Sequence, residues 1–147
     1  MPSHSETRTL PYTADLMYSI VSNVEKYPEF LPWVTVLRII RRISDRAFDS
    51  EMQVGFSGFH ESYISRVTLD PAARSIDVVQ TDGPFRRLEN HWRFTPRGGS
   101  CEVGFAIDFE FKNPLLNMVA GKAFERVMMR MSHAFEARAR ALSNQAE

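Results

Sequence analysis

The amino-acid sequence predicts an α+β fold in which a curved antiparallel sheet of six to seven strands wraps a long C-terminal helix, with a short helical segment after the first strand. Two observations lead there. Residues 113–142, NPLLNMVAGKAFERVMMRMSHAFEARARAL, contain no proline after Pro114 and repeat apolar residues at steps of three and four. Between an early helical segment and this one, turn signals divide the chain into five or six stretches with the two-residue period of strands and no helical period.

The long helix is the more explicit element. Asn113 suits its cap and Pro114 its first position, where a missing N–H costs nothing. Leu116, Ala120, Ala123, Phe124, Val127, Met128, Met131, Ala134, Phe135 and Leu142 form one stripe, while Lys122, Glu125, Arg126, Arg130, Glu136, Arg138 and Arg140 fall mostly off it. At 1.5 Å per residue the segment is about 42 Å long, which demands a broad apolar surface beneath it.

From the N-terminus, Ser3 to Leu10 reads as a short extended strand ending at Pro11. Thr13 caps a helix whose Leu16, Met17, Ile20, Val21 and Val24 share a face. In YPEFLPW, Tyr27 to Trp33, two prolines prevent a long helix while aromatic residues supply packing mass, so a rigid turn is expected. Val34 to Ser44 and Ala47 to Phe56 form a hairpin with Phe48, Met52, Val54 and Phe56 on one parity. Ser57-Gly58 makes the next turn, and Phe59, Glu61, Tyr63, Ser65, Val67 and Leu69 then share a face. Strands follow from Ser75 to Thr81, around Leu88 to Phe94 after the Asp82-Gly83-Pro84 turn, and from Cys101 to Phe111. A strongly twisted sheet cannot meet one helix along its whole length, so a cavity is expected between them near the short helix.

Composition narrows the function. A chain of 147 residues, 44% hydrophobic with 11 phenylalanines, is expected to fold as one domain over residues 1–147. Eighteen basic and eighteen acidic residues cancel, which removes the global field that steers a protein to DNA. The lone Cys101 excludes an internal disulfide, and neither a signal-type apolar segment nor a run of about 18 apolar residues occurs. A cytoplasmic location is expected, with peripheral contact at the inner face of the membrane still open. Catalytic signatures are missing: there is no GxSxG, HExxH or phosphate-binding glycine loop, and His4, His60, His91 and His133 lack ligand spacing.

Four stretches carry a resemblance. YPEFLPW, VGFSGFHESYISRVTLDP from Val54 to Pro71, DGPFRRLENHWRF from Asp82 to Phe94, and the run IDFEFKNPLLNMVAGKAFERVMMRMSHAFEARA from Ile107 are similar to the coenzyme-Q-binding proteins of the START-like superfamily. Bacterial members of that group also go under the names ribosome-association toxin and polyketide cyclase/dehydrase-like protein. The resemblance spans essentially the whole chain and implies a helix-grip fold with an apolar cavity between sheet and helix. It further implies non-catalytic binding of ubiquinone or a related polyprenyl lipid in support of respiratory electron transfer, with no cofactor required. A ribosome-associated module that interferes with subunit association is the alternative, and an aromatase/cyclase-type enzyme a third reading.

Candidate ligand-binding residues follow from parity and position. Phe30, Leu31 and Trp33 could gate the cavity with ring faces suited to a flat quinone, or simply pack the short helix against the sheet. Glu61 shares its parity with Tyr63 and could orient a quinone or act as an acid or base; it could equally pair with an arginine. Asn90, polar between Leu88 and Trp92, could donate to a ligand carbonyl or satisfy a backbone group across the sheet. Tyr63, Trp92 and Phe105 are further candidates on the inward parity of their strands, as are Phe124 and Met128 on the helix stripe, where methionines offer an adaptable surface. Arg38, Arg41, Arg42 and Arg46 form a basic run that could meet anionic headgroups or ribosomal RNA, or be a solvated strand edge.

Overall fold

The computed structural model describes the backbone of residues 3–56 and 59–146, and their side chains except at 56, 59, 119–125 and 144–146. In chain order the elements are β1 (Ser3–Leu10), α1 (Ala14–Ser22), a 3-10 turn (Val24–Lys26), α2 (Tyr27–Phe30), β2 (Val34–Ser44), β3 (Ala47–Phe56), β4 (Phe59–Asp70), β5 (Ser75–Asp82), β6 (Phe85–Arg97), β7 (Ser100–Phe111) and α3 (Pro114–Ala146). The strands form one seven-stranded sheet in the order β1-β7-β6-β5-β4-β3-β2, antiparallel at every step. Consecutive hairpins build β2 through β7. The first strand then closes against the last, which leaves β1 and β2 as the edges.

The predicted caps are present. Thr13 Oγ1 accepts the Leu16 N–H at 3.1 Å and Asn113 Oδ1 accepts the Leu115 N–H at 2.9 Å, so each helix begins where its first orphan donor finds a side chain. The YPEFLPW stretch is more ordered than a turn: a 3-10 turn leads into one turn of α-helix. Pro28 stands at the start of α2, where it takes no backbone bond away, and Pro32 falls beyond its end. Tyr27 Oη donates to Val21 O at 2.5 Å and ties this segment to α1.

One face of the sheet holds the core. Val67, Ile76, Leu88, Trp92, Phe94, Cys101, Val103, Phe105, Phe109 and Phe111 are buried there, as the two-residue period requires. From α3 come Met128, Phe135 and Ala139, with Leu116, Val127, Met131, Ala134 and Leu142 partly buried beside them. Ala120, Ala123 and Phe124 of the expected stripe, and the Ser57-Gly58 turn, lie outside the described residues. Ala139 is wholly buried although the stripe omitted it; it stands one helical turn beyond Phe135.

Three further contacts set α3 on the sheet. The Asn117 side chain closes a two-way bond with Phe111, accepting its N–H at 2.7 Å and donating to its carbonyl at 3.0 Å. Ser132 Oγ donates to Glu6 at 2.7 Å, and Arg8 donates to Glu136 at 2.8 Å. The edge strand β1 is thereby fastened to the helix along its inner face.

The basic run lies on β2 and the turn after it, and its four arginines are exposed. Arg38 donates to Glu51 at 2.7 Å, and the Arg42 guanidinium sits 5.9 Å from the Phe48 ring centre. Among the described residues, no helix is long and apolar enough to cross a membrane.

Candidate functional site

Between the sheet and the helical layer lies a cavity of about 340 Å³, within the range of small-molecule sites. Its walls come from every layer: Val24, Tyr27 and Leu31 from the helical turns, Trp33 from the approach to β2, inward residues of β2 to β7, and Leu116, Val127, Met128, Met131 and Phe135 from α3. Two aromatic groups stand toward opposite ends of β6. At one, Trp92 lies 4.5 Å from Phe105 and 5.3 Å from Phe135 between ring centres, and Phe135 meets Tyr27 edge-on. At the other, Phe85 stacks on Phe111 at 4.5 Å and meets Tyr63 edge-on at 5.3 Å.

Local structure explains why these rings are held. Gln80 grips Phe85 from across the hairpin, donating to its carbonyl at 2.7 Å and accepting its N–H at 3.0 Å. Gly83 makes the tight turn between them, with φ of 157°; a Cβ there would fall 2.5 Å from the Cβ of Tyr63. Only a residue without a side chain lets this turn lie against that wall.

No described residue of the wall is acidic, basic or a histidine. Its polar groups are mostly engaged. Asn90 Nδ2 donates to Ala106 O at 3.1 Å, and Trp92 Nε1 donates to Asn90 Oδ1 at 2.8 Å, so the asparagine satisfies the backbone of β7 and the indole beside it. Tyr63 Oη donates to the Met52 sulfur at 3.1 Å, a weak acceptor. Burial pushes the Tyr63 phenol up to about 12 and the Tyr27 phenol higher still, so both remain neutral at physiological pH. Ser50 and Ser65 complete the polar set; both are buried. Chemically the described wall offers apolar surface, ring faces and neutral hydrogen-bonding groups, without a carboxylate or imidazole to move a proton.

Seven of the ten candidate residues line this space: Leu31, Trp33, Tyr63, Asn90, Trp92, Phe105 and Met128. Phe30 does not. Its ring stands behind Tyr27 and Phe135, edge-on to both, with the Arg138 guanidinium 5.2 Å from its outer side. Glu61 has the parity of Tyr63 and lies opposite Val54, yet the described wall along β4 consists of Tyr63, Ser65 and Val67. It is one step too near the tip of the β3–β4 hairpin, and half-exposed. Phe124 lies outside the described side chains. Sequence reasoning missed Phe109 and Phe111, whose inward parity was readable, Phe135, which the helix stripe includes, Phe85, which a register shift between Phe85 and Arg87 turns inward against the parity of Leu88 and Trp92, and Ser50, whose place in a mostly apolar alternation was the only signal.

Comparison with known proteins places the chain among relatives of two kinds of name. The family model for polyketide cyclase/dehydrase and lipid transport matches residues 10–136. The chain is 35% identical over 141 residues to the ribosome association toxin RatA of Escherichia coli strain K12, covering 95% of this chain and 88% of the relative. It is 33% identical over 141 residues to the mitochondrial coenzyme Q-binding protein COQ10 homolog B of Xenopus laevis, covering 92% of this chain and 57% of that one. Among solved structures, the 18 kDa protein CC1736 from Caulobacter crescentus superposes with a TM-score of 0.82 at 41% identity, covering 98% of this chain and 99% of the other.

Proposed function

Because the chain belongs to the polyketide cyclase/dehydrase and lipid transport family, with a START-like fold, we propose that it holds ubiquinone or a related polyprenyl lipid in the cavity under α3. The observation that carries this reading is the cavity itself: about 340 Å³, apolar, and without a charged residue in its described wall. An uncharged, flat, largely apolar molecule meets no unpaired charge there, and burying its surface is favourable at about 25 cal/mol per Å². The name of the Xenopus relative supports coenzyme Q as the ligand, and service to respiratory electron transfer is the role such a ligand suggests. Transient contact with the inner membrane surface fits the exposed Leu115 and Met118 at the start of α3, beside the exposed Lys112.

The test is organic extraction of the purified protein followed by mass spectrometry. A polyprenyl quinone in the extract is the expected result. Its absence, together with failure of added short-chain ubiquinone to bind, would sink the reading. The RatA relative supports a second reading, a module acting on the ribosome, and the exposed arginines of β2 are the surface that suits it. Co-sedimentation with ribosomal subunits that survives substitution of wall residues but not of Arg38, Arg41 and Arg46 would favour that alternative.

A further inference from the structure

We propose that Ser50 and Ser65 form the polar subsite of this cavity, seating a carbonyl oxygen of the bound molecule on the β3–β4 floor. The inference rests on the cavity reading above and adds the orientation of the ligand and the chemistry that selects it. Ser65 is only 4% exposed, lines the cavity, and its hydroxyl has no hydrogen-bond partner within the protein. Ser50, also 4% exposed and in the same wall, stands directly opposite it in the β3–β4 register. Sheet geometry sets the β-carbons of such partners about 4.5–5.5 Å apart, so two hydroxyls reach the same spot.

A buried hydroxyl without a partner costs free energy, whereas an alanine or valine there would fit an apolar wall at no such penalty. Such a group needs an explanation, and the other polar members of the wall do not supply one. Tyr27 donates to Val21, Tyr63 to Met52, Asn90 to Ala106, and Trp92 to Asn90. Ser65 is the donor left over. A hydroxyl donor in an uncharged pocket selects a neutral acceptor; a carboxylate would find no described cation in the wall to balance it. The matching class is therefore an uncharged apolar molecule bearing a ring or chain carbonyl. Placed on the serine pair, the carbonyl lies between the two aromatic groups, with the apolar body against Val67, Ile76 and the α3 methionines.

The experiment uses the full chain and a ubiquinone carrying two isoprene units, titrated by calorimetry into wild type, Ser65→Ala, Ser50→Ala and the double variant, with infrared spectra of the bound quinone carbonyls. Loss of one neutral hydrogen bond is expected to weaken binding roughly fivefold in Ser65→Ala. The bound quinone's carbonyl stretch is expected to be lowered in wild type and to return toward its value in a hydrocarbon solvent in the variant. Ligand-free Ser65→Ala should melt no lower than wild type, because it removes an unpaired buried group rather than a contact. Ser65→Cys, of similar size and a weak donor, should follow alanine in affinity. Wild-type binding with unchanged affinity and unchanged carbonyl bands in the double variant overturns the subsite while leaving the cavity reading intact. A clear drop in the melting temperature of ligand-free Ser65→Ala also overturns it, because the hydroxyl then serves the fold. If the wild type binds no quinone, the cavity reading fails and the subsite with it.

Discussion

At the scale of single residues, Trp33 on the approach to β2 and Glu61 on β4 make contrasting predictions. Trp33 lines the cavity from a segment braced by Pro32, and its carbonyl accepts the Gly55 N–H at 2.8 Å, a bond that does not need the indole. Trp33→Ala should therefore keep a cooperative melt while the affinity for a short-chain ubiquinone falls at least about tenfold, or 1.4 kcal/mol. Unchanged affinity on folded protein would place the ligand elsewhere. Glu61→Gln should leave that affinity unaltered, because the carboxylate stands beyond the described wall. Parity identified the face on which Glu61 lies, but how far along β4 the cavity extends depends on strands and a helix remote in sequence.

At the scale of elements, the packing of α3 sets the consequences. Ala139 is wholly buried and Arg140, its neighbour, is exposed. Ala139→Asp places an unpaired charge in the core and should lower stability by more than about 3 kcal/mol in urea unfolding, against a change within about 0.5 kcal/mol for Arg140→Ala. Equal effects would mean that the helix is rotated. The seam between β1 and α3 should respond to pH. Burial raises the Glu6 pKa, but the Ser132 hydroxyl, the His4 ring and the Arg8 guanidinium outweigh it and hold the carboxyl below its ordinary value of 4.5. A depressed folded pKa contributes stability that is present above 4.5 and is lost as the pH falls through the lower folded value. Glu6→Gln should accordingly be less stable at neutral pH and lose less on acidification, which urea unfolding between about pH 7 and 3 would reveal. A parallel pH profile would remove Glu6 from the account of acid sensitivity.

At the scale of the molecule, sheet and helix are mutually dependent. Removing residues from Pro114 onward strips Met128, Phe135 and Ala139 from the core, along with five partly buried residues packed against it. At roughly 1.5–3 kcal/mol per large buried side chain, that loss reaches the usual 5–15 kcal/mol of total stability. The truncated chain should show no cooperative thermal transition; a sharp melt would refute the helix-grip dependence. Ligand binding acts on the same balance in the opposite direction. A quinone at about 100 times its Kd should add roughly 2.7 kcal/mol, which for a chain of this size is a rise of about 5–11 °C in Tm.

The sequence alone determined the order of the strands and of the first and last helices, both of those helices' caps, the inward parity of the last strands and most of the α3 stripe. These properties are local: caps depend on residues three apart, parity on a two-residue period, and the stripe on a 3.6-residue one. The family resemblance likewise followed from short stretches in order. Tertiary structure decided what lies between those elements. Phe30 was displaced from the wall because Phe135, 105 positions later, occupies the place beside it. Of the two roles open to Asn90, it fills the one across the sheet, bracing Ala106 and Trp92, because β7 and the indole present their groups there. The pairing of Ser50 with Ser65 is a matter of hairpin register, and the burial that gives it meaning comes from the helical layer packed over the strands. A cavity is the space that distant elements fail to fill, and no local period in a chain encodes it.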